Sequence, residues 1–272
     1  MAGACRRRHS QATVRFSQRG IAPMNMPEPN PKLSQSGMQL AGPADQSVIN
    51  EFVVMSEMLN FDGAKVLELG CGAAEKTRLI AERTAVSAIV AAEVDRIQHN
   101  KNLEIHDLPK VTFAAFGAEA IEAQDASFDI VILFKSLHHV PAALLDQSFA
   151  EMFRVLRPGG HVYISEPVFE GEINEVIRLF NDEEVVRKGA FAAIGRAVES
   201  GQFQLVEERF FRNIVKLTSF AQFEQGLINV THSERNVSPE LLVRIRERFE
   251  SFRKPEGFVF EVPNRVDLLV KP

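Results

Sequence analysis

Apolar and polar positions follow two rhythms along this chain. Short apolar runs recur at residues 65–69, 87–94, 111–116, 128–134 and 161–165. Between them, at 74–83, 96–106 and 142–156, apolar positions return every three or four residues. The first rhythm is that of buried strands and the second that of amphipathic helices. The run 128–134 (FDIVILF) is apolar on both faces, as a central strand of a parallel sheet requires. The helix at 142–156 carries Leu145, Phe149, Met152, Phe153 and Leu156 on one side. Arg157-Pro-Gly-Gly160 ends it, because Pro cannot continue a helix and Gly tolerates positive φ. Strands alternating with helices predict an α/β fold, a mostly parallel sheet with helices on both faces.

The rhythm changes at both ends. Val48, Phe52, Met55 and Leu59 have helical spacing and predict a helix over 45–59. Past Glu166, Ile173, Val176, Ile177 and Phe180 mark one helix, and Phe191, Ile194 and Val198 another. Residues 210–216 read as a strand and 219–227 as helical. Ser238-Pro239-Glu240 starts a further helix, with Ser at the N-cap and Pro at its first position. Leu242, Ile245, Phe249 and Phe252 form its buried stripe, and 265–270 is a last strand. There is no internal repeat.

With 272 residues, these elements predict a single domain over 44–272, preceded by a flexible arm over 1–43. The formal charge is −5, and the first 23 residues hold Arg6, Arg7, Arg8, Arg15 and Arg19 without any Asp or Glu. The rest is therefore more acidic than the whole, unlike a dedicated nucleic-acid binder. That first segment is either a disordered tail, sequence upstream of a start at Met24 or Met26, or an Arg-rich transit peptide. The default compartment is the cytoplasm; a transit peptide would make it an organelle. The cysteines, Cys5 and Cys71, set no disulfide framework. No apolar run is long enough to predict a membrane span, and the seven His show no metal-ligand spacing.

Candidate chemistry lies where the strands end. Glu68-Leu-Gly70-Cys-Gly72 forms a turn between the first strand and first helix, where bare glycine backbone lets a ligand come close. Glu93 closes the second strand 21 residues after Gly72, a spacing that suits a carboxylate accepting from ribose hydroxyls. Asp95 reads as the N-cap of the following helix. Glu75 stands where a dinucleotide site has its third glycine, and a negative charge there argues against a pyrophosphate.

Five segments now resemble, in order and spacing, the motifs of class I S-adenosylmethionine-dependent methyltransferases: VLELGCGAAEKT (66–77), AAEVD (91–95), FGAEA (116–120), SFDIVILFKSLHHV (127–140) and LRPGGHVYISEP (156–167). The resemblance implies a Rossmann-like sheet of seven strands with an antiparallel last one, and S-adenosylmethionine as methyl donor. It implies that Glu68 faces the methionine ammonium and that Gly70, Cys71 and Gly72 form the donor turn. Glu93 would bind the ribose, Ala118 and Glu119 would flank the adenine, and Phe134 and Lys135 would lie beneath the sulfonium. Gly117 replaces the Asp that many family members carry, so Glu119 is expected to take over the adenine contact. The helical segments 45–59, 172–200 and 218–258 are expected to cap the domain and roof a pocket for a small molecule. The alternative is that they only cover the sheet or form a homodimer interface.

His139 is the first candidate for a general base and His138 the second; otherwise one bonds a loop backbone and the other is partly buried. Glu166, at the tip of the fifth strand, is expected to face the pocket. Cys71 reads as a small residue fitting a tight loop, and Arg244, Arg246, Arg248 and Arg253 as a solvated face. A small-molecule acceptor leads. RNA or protein is the runner-up, with the negative charge against RNA. The readings of other classes are an NAD-dependent oxidoreductase and a non-catalytic S-adenosylmethionine-binding module.

Overall fold

Each apolar run pairs with its neighbours in one sheet. A computed structural model describes residues 38–43, 46–230 and 236–272. Its elements, in chain order, are α1 (Glu51–Met58), β1 (Lys65–Leu69), α2 (Glu75–Arg83), β2 (Ala88–Ala92), α3 (Arg96–Leu103), β3 (Val111–Ala114), β4 (Phe128–Phe134), α4 (Leu145–Val155) and β5 (Leu156–Pro167). They continue with α5 (Glu172–Ile177), α6 (Glu184–Glu199), β6 (Gln204–Leu217), α7 (Phe220–Phe223), α8 (Pro239–Glu250) and β7 (Phe258–Val270). The strand order is β3-β2-β1-β4-β5-β7-β6. β1 to β5 run parallel, and β7 lies antiparallel between β5 and β6. This is the class I methyltransferase topology expected above. The order reverses between β1 and β4, and a crevice opens there beyond the strand ends.

Both faces of the sheet are covered. On one, α4 and α6 pack through Phe149, Met152, Ala193 and Ile194 onto Leu67, Val131 and Leu133. On the other, α1 and α2 bring Val54, Met55 and Ile80 against Val66, Ile130 and Ile132. β4 is the spine, with Ile130 to Leu133 no more than 3% exposed. Burying such a side chain stabilises by about 1.5–3 kcal/mol.

The second half differs from the expected pattern in extent. β6 and β7 are much longer than 210–216 and 265–270. The inner half of β7, Asn264 to Val270, pairs with β5, while Phe258 to Pro263 pairs with β6 alone. Pro263 stands where β7 parts from β5, a position that suits a residue without an N–H to give. The projecting hairpin builds a third core with α5, α7 and α8: Ile173, Val176, Phe220, Phe223, Phe249 and Phe258. Phe249 and Phe258 rings lie 4.1 Å apart.

Helix 1 also starts later than expected. Asn50 caps it by accepting from the Phe52 N–H at 2.9 Å. The residues before it are extended, Ile49 donating to the Arg212 carbonyl at 3.0 Å. Residues 38–43 reach β6 and β7: the Gln39 N–H meets the Glu208 carboxylate at 3.0 Å, and Arg265 the Leu40 carbonyl at 3.3 Å. The arginines of the first 23 residues, Cys5 and His232 lie outside the described residues. Among the described residues no helix is long and apolar enough to cross a membrane.

Candidate active site

The first turn is held by its own backbone. After β1, the N–H groups of Gly70 and Cys71 both donate to the Ala92 carbonyl, at 2.9 and 3.0 Å. Gly70 has φ +75°, and a Cβ there would lie 2.6 Å from the Ser136 Cβ, so glycine is required by conformation and by close approach. Ser136 Oγ in turn donates to the Leu69 carbonyl at 2.7 Å, tying the exits of β1 and β4 together. Gly72 has φ +53°, but an added Cβ there meets no atom within 4 Å. The face of that glycine is open.

Glu93 joins this turn to the next. Its carboxylate accepts from the Gly72 N–H at 2.8 Å through one oxygen and from the Asp95 N–H at 2.9 Å through the other. An ionised carboxylate has about four lone-pair sites. Two are used by backbone, and one on each oxygen is left for a pair of neighbouring hydroxyls. Asp95 caps α3, accepting from Ile97 and Gln98. Asn102, from that helix, donates to the Gly72 carbonyl at 2.7 Å and fixes the other side of the glycine turn.

These turns line a cavity of about 870 Å³. Of the residues singled out from sequence, Gly70, Gly72, Glu93, Ala118, Glu119, Phe134, Lys135 and His139 line it. Glu119 folds its carboxylate over Gly117, into the space where a Cβ at 117 would stand. Lys135 ends β4 with φ +54°, a strained conformation for a residue with a side chain. Its N–H is held by the Ser165 carbonyl at 2.7 Å.

Glu68 and Cys71 lie behind the wall rather than in it. Glu68 is 1% exposed and accepts from Thr77 Oγ1 at 2.6 Å. Burial pushes its carboxyl up to about 7, although the Thr77 hydrogen bond pulls the other way. Burial, reinforced by Glu68 and Glu93, also raises the Cys71 thiol well above its ordinary range. It stays a neutral thiol beside Asn102, as a tight-loop residue does.

The expectation that Glu166 faces the pocket is corrected. Glu166 is 3% exposed; one oxygen accepts the Leu137 N–H at 2.9 Å, and the other is bonded to His138 Nδ1. The short helical turn 137–139 leaves the Leu137 N–H facing the tip of β5, and the carboxylate satisfies it. His138 is therefore buried with it, while the adjacent His139 is exposed to the cavity. His138 Nε2 faces Glu183, on α6's N-terminal side, at 3.8 Å.

Among the described residues, the roof comes from one segment. Past α7 the chain makes a wide turn at Glu224–Ile228, with the Asn229 N–H bonded to the Glu224 carbonyl at 2.9 Å, five residues back. Gln225, Gly226, Asn229 and Val230 line the cavity from there. The other two expected roof segments act differently: α1 and α6 cover the sheet faces, and neither lines the cavity. Sequence reasoning missed Asn102, Ser136, Thr77 and the wide turn. Ser136 and Thr77 had a signal, their places inside the segments 127–140 and 66–77; Asn102 and the wide turn had none. Three of the four late arginines are engaged at the surface: on α8, Arg248 with Glu175 and Arg246 over the Phe220 ring, and past its end Arg253 with Glu250.

Residues 66–160 match the family model described as a methyltransferase domain. The methyltransferase GfsG of Streptomyces halstedii is 33% identical over 122 residues, 42% of this chain and 41% of that protein. A phthiotriol/phenolphthiotriol dimycocerosates methyltransferase of Mycobacterium ulcerans is 25% identical over 138 residues, 51% of this chain and 50% of that one. The chain thus spans about half the length or less of these curated relatives. Among solved structures, a protein of Bacillus halodurans C-125 proposed to be a methyltransferase superposes with a TM-score of 0.58 at 17% identity, covering 81% of this chain and 98% of that one.

Proposed function

We propose that this chain, a member of the class I S-adenosylmethionine-dependent methyltransferase family, transfers a methyl group to a small-molecule acceptor held under the 225–230 roof. The observation that carries the reading is Glu93: both oxygens are anchored by backbone at the glycine turn, and each keeps a lone pair for a vicinal diol. The open face of Gly72 beside it accommodates the rest of an adenosyl ligand. Ala118 and Glu119 flank the adenine, with the Glu119 carboxylate standing in for an Asp at 117. Phe134 and the Lys135 backbone form the floor under the sulfonium. Bound S-adenosylmethionine supplies an electrophilic methyl group that needs no further activation.

The chain's own work is alignment and exclusion of water. Gly70 and Gly72 hold the donor turn, and the roof closes over the acceptor side. His139, exposed to the cavity, is placed to take a proton from an acceptor hydroxyl or amine. The cavity falls in the size range of small-molecule sites. The net charge of −5 counts against an RNA acceptor. A relative whose name specifies a lipid-type substrate, the dimycocerosates methyltransferase, supports a small acceptor.

Calorimetric titration with S-adenosylmethionine, S-adenosylhomocysteine and NAD tests this. Binding of the two sulfur ligands and not of NAD is expected. Binding of NAD alone would overturn it.

A further inference from the structure

We propose that His138, His139 and Glu183 bind one divalent transition-metal ion at the edge of the donor cavity, with zinc the first choice. Each offers one ligand atom, and the three atoms lie within 4.8 Å of one another. Ligands on a tetrahedral ion at about 2.0–2.2 Å stand roughly 3.3–3.6 Å apart, so side-chain movements of about 1–1.5 Å close the set. Positions 138, 139 and 183 form no sequence spacing that announces a metal; the fold alone brings them together.

His138 is the pivot. Its Nδ1 is bonded to Glu166, whose other oxygen is already held as an acceptor by the Leu137 N–H. In the tautomer that donates from Nδ1 to Glu166, the Nε2 lone pair is left for an ion. That lone pair faces a Glu183 oxygen at 3.8 Å, too far for a hydrogen bond. A carboxylate behind the imidazole and a second carboxylate facing its other nitrogen match the layout of a carboxylate–histidine–metal site. Glu183 is oriented in turn by Asn181 Nδ2 and Arg187, each at 2.6 Å. Arg187 holds the same oxygen, Oε2, that faces His138, through Nε at 3.2 Å as well as Nη2, while its Nη1 donates to Asn174 and the Val168 carbonyl. The His139 ring stacks on His138, centroids 4.1 Å apart, and opens onto the cavity.

Two imidazoles and one carboxylate suit zinc, cobalt or iron and leave coordination positions vacant. Of the three ligands His139 lines the cavity, and Glu183 together with Glu166 behind His138 balances the ion's two positive charges. The vacant positions suit an oxygen donor, a hydroxyl, phenol or carboxylate of the acceptor, and with the ion bound the ion replaces the ligated His139 in loosening the acceptor's proton. This last role rests on the methyl-transfer reading; the ion site does not.

The test uses the full chain, stripped with a chelator and dialysed, then titrated with Co²⁺ by visible absorption and with Zn²⁺ by calorimetry. One equivalent per chain is expected. His139→Ala and Glu183→Gln, both away from the buried core, are each expected to weaken it at least about tenfold, and Glu166→Gln by roughly 10–100-fold. Absence of saturable one-to-one binding, or wild-type affinity in both His139→Ala and Glu183→Gln, would overturn the proposal. S-adenosylhomocysteine binding to the same wild-type sample is read separately. Product bound without metal sinks the ion site alone, and metal bound without product sinks the transfer reading alone.

Discussion

Replacing Glu93 with Ala is the sharpest probe of the donor site. The change removes the two oxygens that await the ribose hydroxyls. It also strips the Gly72 and Asp95 N–H groups of their acceptor. Hydrogen bonds to a charged group contribute about 1.5–3 kcal/mol each. Losing two costs about 3–6 kcal/mol of donor binding, a rise in Kd of roughly a hundredfold to ten-thousandfold or more. The ligand-free fold loses less, about 1–2 kcal/mol, because both N–H groups lie at the cavity edge where water replaces the carboxylate. Glu93→Gln is a finer cut. Its amide NH₂ must face one of the two backbone N–H donors, so it too loses affinity, although size and shape are kept. Isothermal titration with S-adenosylhomocysteine gives the affinities, and a thermal melt of each variant shows that it is folded. A Glu93→Ala protein that melts cooperatively and binds within threefold of wild type would refute the assignment.

Three further outcomes are expected. Gly72→Val puts a branched side chain into the open face of the turn at φ +53°; S-adenosylhomocysteine binding is lost while the melting transition persists, and unchanged affinity would contradict the placement. Glu68 titrates at about 7 in the folded chain against 4.5 unfolded, so the folded state holds an extra proton between those values. Stability is then greatest at the acid end of this window and falls as pH rises from about 4.5 to about 7, by up to about 3 kcal/mol. Urea melts at both ends of the window are expected to show this slope in wild type and not in Glu68→Gln; equal slopes would reject it. Phe249→Ala empties the centre of the hairpin core and is expected to destabilise by about 3–5 kcal/mol, with hydrogen exchange rising first in α7 and α8. Uniform exchange across the sheet would show that the core is not local.

Much of the donor half was legible because each signal there is local. The apolar run 128–134, the positive-φ glycines and the Asp95 and Ser238 caps depend on residues a few places apart. The rest depends on partners far along the chain. Glu166 turns from the cavity because the turn at 137–139 offers it donors, which its own neighbours do not reveal. β7 was read only from Arg265 onward because Pro263 and Asn264 part the apolar residues of 258–262 from the rest of the strand. Polar residues break an apolar run, yet Arg265 and Asp267 pair at 2.8 Å and so can be covered. α1 and α6 have the apolar stripes of any helix, and a stripe does not say whether it meets a sheet or a roof. The wide turn at 224–228 has no composition that sets it apart from an ordinary helix end.

The hairpin that outruns the sheet divides the labour of the molecule. Its aromatic core shares no residue with the two cores that support the glycine turn and Glu93. Side chains on the roof can therefore be exchanged to suit a new acceptor without retuning the grip on the donor, and one scaffold of this shape can serve many chemistries by changing only its overhang.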